Sequence, residues 1–371
     1  MKEAIRFTVT ASDPRFAARR GVMETPHGAV ETPAFMPVGT QASVKCLTPD
    51  ELRAGGAQIV LCNAYHLALR PGAEVVERFG GLHGFMKWDG PILTDSGGYQ
   101  VFSLAGLRKV GDDGVTFRSH IDGQEIFLSP ERATEIQERL GADIIMAFDE
   151  CVPYPCERDY AKAAMDRTVA WAERCKAARR RSDQALFGIV QGSTFPDQRR
   201  ECADRLTEIG FDGYAVGGLS VGEGPERMGE MLECTVGHLP ADQPRYLMGV
   251  GTPQDIVESV MRGVDLFDCV MPTRNARNGC AFTSEGKVRI RNLKYKEDDS
   301  PLDPACGCAA CRTFSRGYLR HLVIAEEITG LSLLSLHNVS YYNTLLQRIR
   351  AAVAVGGLDD LLKTIVGSYK E

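Results

Sequence analysis

No stretch of the chain approaches the ~18 consecutive apolar residues that a membrane span needs. The opening MKEAIRFTVTASDPRF lacks the apolar core of a signal peptide, and a cytoplasmic protein is expected. An excess of positive charge is also missing. Lys and Arg number 43 against 49 Asp and Glu, a net charge of −6, which argues against blanket binding of nucleic acid. There is no internal repeat and no low-complexity tract. A disulfide framework is absent too. Of the 12 cysteines, nine are scattered singly, several inside apolar runs where a free thiol acts as a small hydrophobe. The other three are bunched in PACGCAACRTF, a distribution that suits a reducing compartment with one metal site.

What remains is an ordinary globular composition, 44% hydrophobic and 25% charged, over 371 residues, enough for one large core plus an appendage. Eight short apolar runs recur: TPAFMPVG (32–39), QIVLCNAYHL (58–67), PILTDSGG (91–98), DIIMAFDE (143–150), ALFGIVQG (185–192), GYAVGGLS (213–220), RYLMGVG (245–251) and VDLFDCVMP (264–272). Each is too short for a helix, and near-continuous hydrophobicity suits strands buried on both faces. Amphipathic stretches such as TPDELRAGG, SPERATEIQERLG and TPQDIVESVMRG lie between most of them, with Ser129 and Pro130 placed as N-cap and first helical residue. The pattern predicts an α/β fold, a (β/α)8 TIM barrel over residues 1–272. VTFRSHIDGQEIFL, within Gly106 to Phe127, predicts an inserted β-hairpin turning at Asp122-Gly123. Residues 273–345 read as a zinc-binding subdomain, opening with the short strand pair in FTSEGKVRIRN, and 346–371 as a helical tail packing on the barrel.

Barrel enzymes carry their chemistry at the carboxyl ends of the strands. By that rule Asp95-Ser96-Gly97-Gly98-Tyr99, Asp149-Glu150-Cys151, Gln191-Gly192, Gly217-Gly218-Leu219-Ser220, Met248-Gly249 and Asp268-Cys269 converge on one rim. Singly, each has a bland reading, since an Asp after a strand usually caps a helix or a turn. The set is harder to dismiss. Asp268 sits inside Leu-Phe-Asp-Cys-Val-Met, where a carboxylate must be hydrogen-bonded, charge-paired or functional. Two carboxylates flanking a sugar carbon are the arrangement of retaining glycosyl chemistry. An Asp, a Gln and a backbone N–H together match the edge of a purine, and Tyr99 and Met248 suit a flat base.

Cys306-x-Cys308-x2-Cys311 followed by His337 offers three thiolates and one imidazole, a closed tetrahedral zinc site that holds structure. His321 is the competing fourth ligand. From Met271 to Tyr295 six basic residues (Arg274, Arg277, Lys287, Arg289, Arg291 and Lys294) meet one acid, Glu285. Charge alone reads there as a solvated face, although a local patch is what a polyanion needs.

LTDSGGYQ, MAFDEC, IVQG, GGLSVGE, YLMGVG, FDCVMPTRNARNG and the CxCxxC cluster, in this order along nearly the whole chain, resemble the bacterial tRNA-guanine transglycosylases, or queuine tRNA-ribosyltransferases. The resemblance implies exchange of guanine at the anticodon wobble position for 7-aminomethyl-7-deazaguanine (preQ1), a step in queuosine biosynthesis. It implies Asp268 as nucleophile and Asp95 as general acid/base. Ser96, Gly97, Gly98, Tyr99, Asp149, Gln191, Gly218, Leu219, Glu223 and Met248 would bind the base, with Leu219 and Glu223 toward its 7-substituent. Gly249, Val250, Gly251, Thr252, Pro253, Gln254 and Asp255, and Thr273, Arg274, Asn275, Ala276 and Arg277, would meet tRNA. The family further implies one structural Zn2+ per subunit, a homodimer, and tRNAs with G-U-N anticodons for Asp, Asn, His and Tyr. Cys151 and Val221 match the preQ1-using type. Two rivals stand beside this reading, a zinc-dependent barrel hydrolase and a non-catalytic zinc RNA-binding protein.

Overall fold

A computed structural model describes residues 4–99 and 108–369. An antiparallel sheet of β1 (Arg6–Ser12), β2 (Arg19–Thr25) and β3 (Gly28–Thr32) comes first. The barrel strands are β4 (Ala34–Gly39), β5 (Val60–Cys62) and β6 (Ile92–Thr94). After an insert of β7 (Arg108–Gly111), β8 (Gly114–Arg118) and β9 (Glu125–Leu128) they continue as β10 (Ile144–Met146), β11 (Ala185–Val190), β12 (Gly213–Val216), β13 (Arg245–Leu247) and β14 (Leu266–Cys269). These eight close into one parallel barrel, with β14 against β4 (Phe267↔Phe35) and β6 against β10 (Leu93↔Ile144). Every apolar run picked out in the sequence contains one of them.

The period of two explains the packing. Met36, Leu61, Leu93, Ile144, Phe187, Ile189, Ala215, Tyr246 and Leu266 form one cluster inside the barrel. Their neighbours Phe35, Val60, Ile145, Leu186, Val190, Leu247 and Phe267 belong to a second cluster, with the surrounding helices. Those helices begin where their caps say. The Ser129 hydroxyl accepts the Arg132 N–H at 3.2 Å ahead of helix Pro130–Leu140, and Thr48 and Glu51 form a capping box on helix Pro49–Ala54.

The sheet β1–β3 was not legible beforehand. Its Met23 and Val30 join the interior cluster and plug the barrel at the amino ends of the strands. At this closed end three aspartates do structural work. Asp143, Asp212 and Asp265 each precede a strand and accept an N–H from a neighbouring strand, from Ile92, Leu186 and Arg245 at 2.8, 2.8 and 2.7 Å. Asp265 also receives Arg19 in a buried two-point pair at 2.9 and 2.6 Å. Asp143 is approached by His27 and His83 at 2.7 and 3.2 Å; their rings stack 3.5 Å apart.

The insert is a three-stranded meander rather than a hairpin, β7-β8-β9. Asp122-Gly123 turns between β8 and β9 as expected, with Gly123 at φ +75°. The added strand β7 pairs through the Asp112-Asp113 turn; residues 106–107 and Gln100 of LTDSGGYQ lie outside the described residues. After the barrel, β15 (Cys280–Thr283) pairs with β16 (Gly286–Arg289), and the 28-residue helix Ile328–Val355 runs unbroken from the cysteine cluster onto the barrel. Asn338 on that helix accepts the Phe282 N–H at 2.9 Å and donates to Pro272 at 2.8 Å. Further along, Tyr342 packs on Phe35 at 4.8 Å. A last helix, Leu358–Ser368, lies within the stretch expected to be a helical tail.

Candidate active site

At the carboxyl ends of the strands a cavity of about 330 Å³ opens. Asp95 after β6, Asp149 after β10, Gln191 after β11, Gly218 and Leu219 after β12, Met248 after β13 and Asp268 at the end of β14 all line it. The two aspartates expected to do the chemistry therefore share one chamber, although 173 positions separate them in the sequence.

Their environments differ. Both donors to Asp268 converge on Oδ1, the Tyr246 hydroxyl at 2.6 Å and the Gly249 N–H at 2.8 Å, leaving Oδ2 toward the cavity. Burial pushes its carboxyl above the ordinary range while the two hydrogen bonds pull it back. Asp95 is only 6% exposed and is engaged at both oxygens, Oδ2 by the Asn63 side-chain amide and Oδ1 by the Ala64 N–H at 2.8 Å. One carboxylate is thus anchored with an open oxygen, and the other is gripped at both.

The wall between them is polar and buried. Asp149 accepts from the Ser96 hydroxyl at 2.9 Å and from the Gln191 amide at 2.8 Å, and burial raises its pKa. The Gln191 Oε1 has no partner among the described residues. Gly97 and Gly98 lie behind this wall rather than on it. Gly97 turns at φ +81°, and a Cβ on Gly98 would stand 2.5 Å from the Asp149 carbonyl oxygen. Glu223 does not reach the cavity either; its carboxylate takes the N–H groups of Ser220 and Val221, the latter at 2.9 Å, and so shapes the loop that carries Leu219 and Val221. Glu150, beside Asp149, turns to Arg167 and to the Tyr160 hydroxyl. Cys151 and Cys269 line the cavity as neutral thiols, pushed by burial to about 12 and about 11.

Asn63 and Tyr246 were missed in the sequence. Asn63 follows β5 inside the run QIVLCNAYHL, where its position past a strand was the available signal; Tyr246 reads as a core aromatic, and only the register of β13 turns it toward Asp268. The Tyr246 bond gives a test. Tyr246→Phe removes a group that lowers the Asp268 pKa, so the acid limb of the exchange rate should move to higher pH. A pH profile of single-turnover exchange reads it, and an unmoved limb would detach that limb from Asp268.

Of the expected RNA-contacting residues, Val250, Pro253, Thr273 and Ala276 are buried and serve the packing of their loops. Gly249 and Arg274 are exposed and line the cavity. Strand alternation in β16 and just beyond it exposes Lys287, Arg289 and Arg291 while burying Val288 and Ile290, which puts these three basic residues on one outer face.

Cys306, Cys308, Cys311 and His337 bring four ligand atoms within 4.8 Å of one another. The His337 Nε2–H donates to the Phe282 carbonyl at 2.7 Å, which fixes the tautomer with the Nδ1 lone pair facing Cys311 at 3.2 Å and Cys308 at 3.7 Å. His321 is exposed on another helix. The cluster can hold a metal ion, and its soft, closed donor set suits zinc. None of the four lines the cavity. Chelation should therefore lower the thermal midpoint by about 10 °C or more, with exchange lost only as the fold is lost. Loss of turnover in protein still folded by circular dichroism would contradict a purely structural metal.

Fold and cavity define a barrel enzyme with its carboxylates gathered at one mouth. The model of the family described as queuine tRNA-ribosyltransferase matches residues 13–371. Proteins named queuine tRNA-ribosyltransferase are similar throughout: that of Pelotomaculum thermopropionicum is 57% identical over 368 residues, covering 98% of this chain and all of the relative. That of Caldanaerobacter subterraneus subsp. tengcongensis is 56% identical over 373 residues (99% and 100%), and that of Symbiobacterium thermophilum 57% over 364 (98% and 91%). The chain belongs to this family, the tRNA-guanine transglycosylases.

Proposed function

We propose that this transglycosylase, acting in queuosine biosynthesis, replaces guanine at the wobble position of tRNA with preQ1 through a ribosyl-aspartate intermediate. The observation that carries the reading is the shared chamber: Asp95 and Asp268 line one cavity, with the Asp149–Gln191 wall between their strands. In the first half, the open Oδ2 of Asp268 attacks C1′ of the ribose. The C1′–N9 bond breaks, its electron pair goes to guanine, and Asp95 delivers a proton to the leaving base. In the second half, the incoming base gives its N9 proton to Asp95 and attacks C1′, and the ester bond to Asp268 breaks. Two inversions restore the original β-linkage, and the proton balance closes.

Asp149 accepts from the ring N–H and amino groups, Gln191 and the Gly218 N–H serve the carbonyl, and Tyr99, 51% exposed, stacks with Met248 on the flat faces. Val221 and Cys151 in the cavity wall restrict the room beside the 7-substituent and favour preQ1 over a bulkier base. The target nucleotide must be flipped out to enter. The tRNAs are those with G-U-N anticodons, for Asp, Asn, His and Tyr, met by the exposed parts of residues 249–255 and 273–277. The division of labour proposed with this is a catalytic barrel (1–272), a zinc-bearing subdomain with the basic strip (273–345) and a helical tail that packs on the barrel (346–371). One structural Zn2+ per subunit sits on Cys306, Cys308, Cys311 and His337, in a cytoplasmic homodimer. When bound, the ion cross-links the cysteine loop to the long helix.

The deciding experiment incubates the enzyme with labelled guanine and tRNA. Label should enter tRNA carrying guanosine at the wobble position and stay out when adenosine replaces it. Absence of label from both would remove the function; entry into both would remove the wobble assignment.

A further inference from the structure

Behind the base-reading wall lies a charged group that the proposed reaction does not use. Arg199, on the helix Pro196–Ile209 that follows β11, is completely buried. Among the described residues it meets backbone carbonyls and no carboxylate. Its Nε donates to Ser193 at 2.6 Å, and its Nη2 donates to Gly217 at 3.0 Å and Gly218 at 3.4 Å. The Nη1 is buried without a partner among the described residues. Burial draws its pKa down to about 10, which still leaves it charged at neutral pH. Burying a cation this way is costly, and simple loop tethering would be served as well by a neutral amide.

The two carbonyls held by Nη2 identify the use. The Gly217 carbonyl belongs to the peptide unit whose N–H is that of Gly218, and the Gly218 carbonyl to the unit whose N–H is that of Leu219. Neither N–H donates to an acceptor among the described residues, and both residues line the cavity. The next two N–H groups, of Ser220 and Val221, are taken by Glu223. The loop thus keeps an inner pair of donors open and an outer pair closed. A positive donor on a peptide oxygen polarises that peptide and strengthens its N–H as a donor.

We infer that Arg199 is a positioning residue for base recognition: its buried guanidinium fixes and polarises the Gly217–Gly218 and Gly218–Leu219 peptides, so that their N–H groups meet the ring carbonyl oxygen of the purine. This rests on the base-exchange reading and deepens it. As C1′–N9 breaks, electron density spreads through the departing base onto that oxygen, and a donor backed by a fixed positive charge gains most at that moment. Arg199 touches neither the base nor the sugar; it acts through the peptides.

The test compares guanine with 2-aminopurine, which lacks the ring oxygen and whose fluorescence reports its binding. Arg199→Met should weaken guanine about tenfold and 2-aminopurine less than about threefold, with the KM for tRNA unchanged. Arg199→Lys keeps the charge but loses the fork, and should fall between wild type and Arg199→Met for guanine. Equal weakening of both bases, or weakening of neither, would overturn the role. Should Arg199→Met fail to fold, the same comparison on Arg199→Lys decides: guanine must suffer more than 2-aminopurine. Label transfer from guanine into tRNA by the wild-type enzyme is run alongside; its failure counts against base exchange itself, whatever the variants do.

Discussion

Replacing Asp268 with Asn is expected to lower base exchange about 10⁴-fold or more, the scale on which loss of a covalent nucleophile registers. The amide is nearly isosteric, and its oxygen can keep both donors now on Oδ1, the Tyr246 hydroxyl and the Gly249 N–H. The position now held by the open Oδ2 then carries an NH2 group, which has no charge and no available lone pair to offer C1′. The cavity, the Asp149–Gln191 wall and the basic strip are untouched. Affinity for tRNA, which rests chiefly on phosphate contacts, should stay within about threefold. The direct readout is a denaturing gel of enzyme with labelled tRNA. Wild type should retain a slowly migrating tRNA–protein band, and Asp268→Asn should show none. A persistent band, or exchange at a near-normal rate, would place the nucleophile elsewhere.

The carboxylates show how much of the site could be read beforehand. An Asp beside a strand was ambiguous in the sequence, and the structure resolves it by which end of the strand the residue occupies. Asp143, Asp212 and Asp265 precede their strands and stitch the closed end. Asp95 and Asp149 follow theirs, Asp268 sits in the last strand near its carboxyl end, and all three face the cavity. The eight strands were legible because burial on both faces leaves almost no polar residue in the run. The amino-terminal plug was not, because β1 is mostly exposed and carries a register shift between Val9 and Ala11, so its alternation is weak. The zinc ligands were legible from spacing, with His337 preferred over His321, and the long helix lays His337 beside the cysteine loop. Tyr246 and Arg199 could not be read at all, and Asn63 only by its position past a strand, since their roles are set by partners 22, 18 and 32 positions away along the chain.

Asp95→Asn should slow exchange by about 10²–10⁴-fold, the range in which positioned general acids and bases contribute. It should do so without removing the covalent intermediate. The Asn63 amide and the Ala64 N–H fix the group by donating to both Asp95 oxygens. An Asn there can accept only one of them and opposes the other with its own NH2, so it neither carries the proton nor keeps the full grip. Guanine must then leave with its proton drawn from water, and the incoming base must lose its N9 proton unaided. The proposed nucleophile, Asp268, is intact, so the tRNA–protein band should form slowly and then persist, where in Asp268→Asn it never appears. An incoming base with a more acidic N–H, such as 8-azaguanine, ionises more readily and should recover part of the second half-reaction in Asp95→Asn but none in Asp268→Asn. Identical behaviour of the two variants, in band formation and in rescue, would mean that the two aspartates do not divide attack and proton transfer between them.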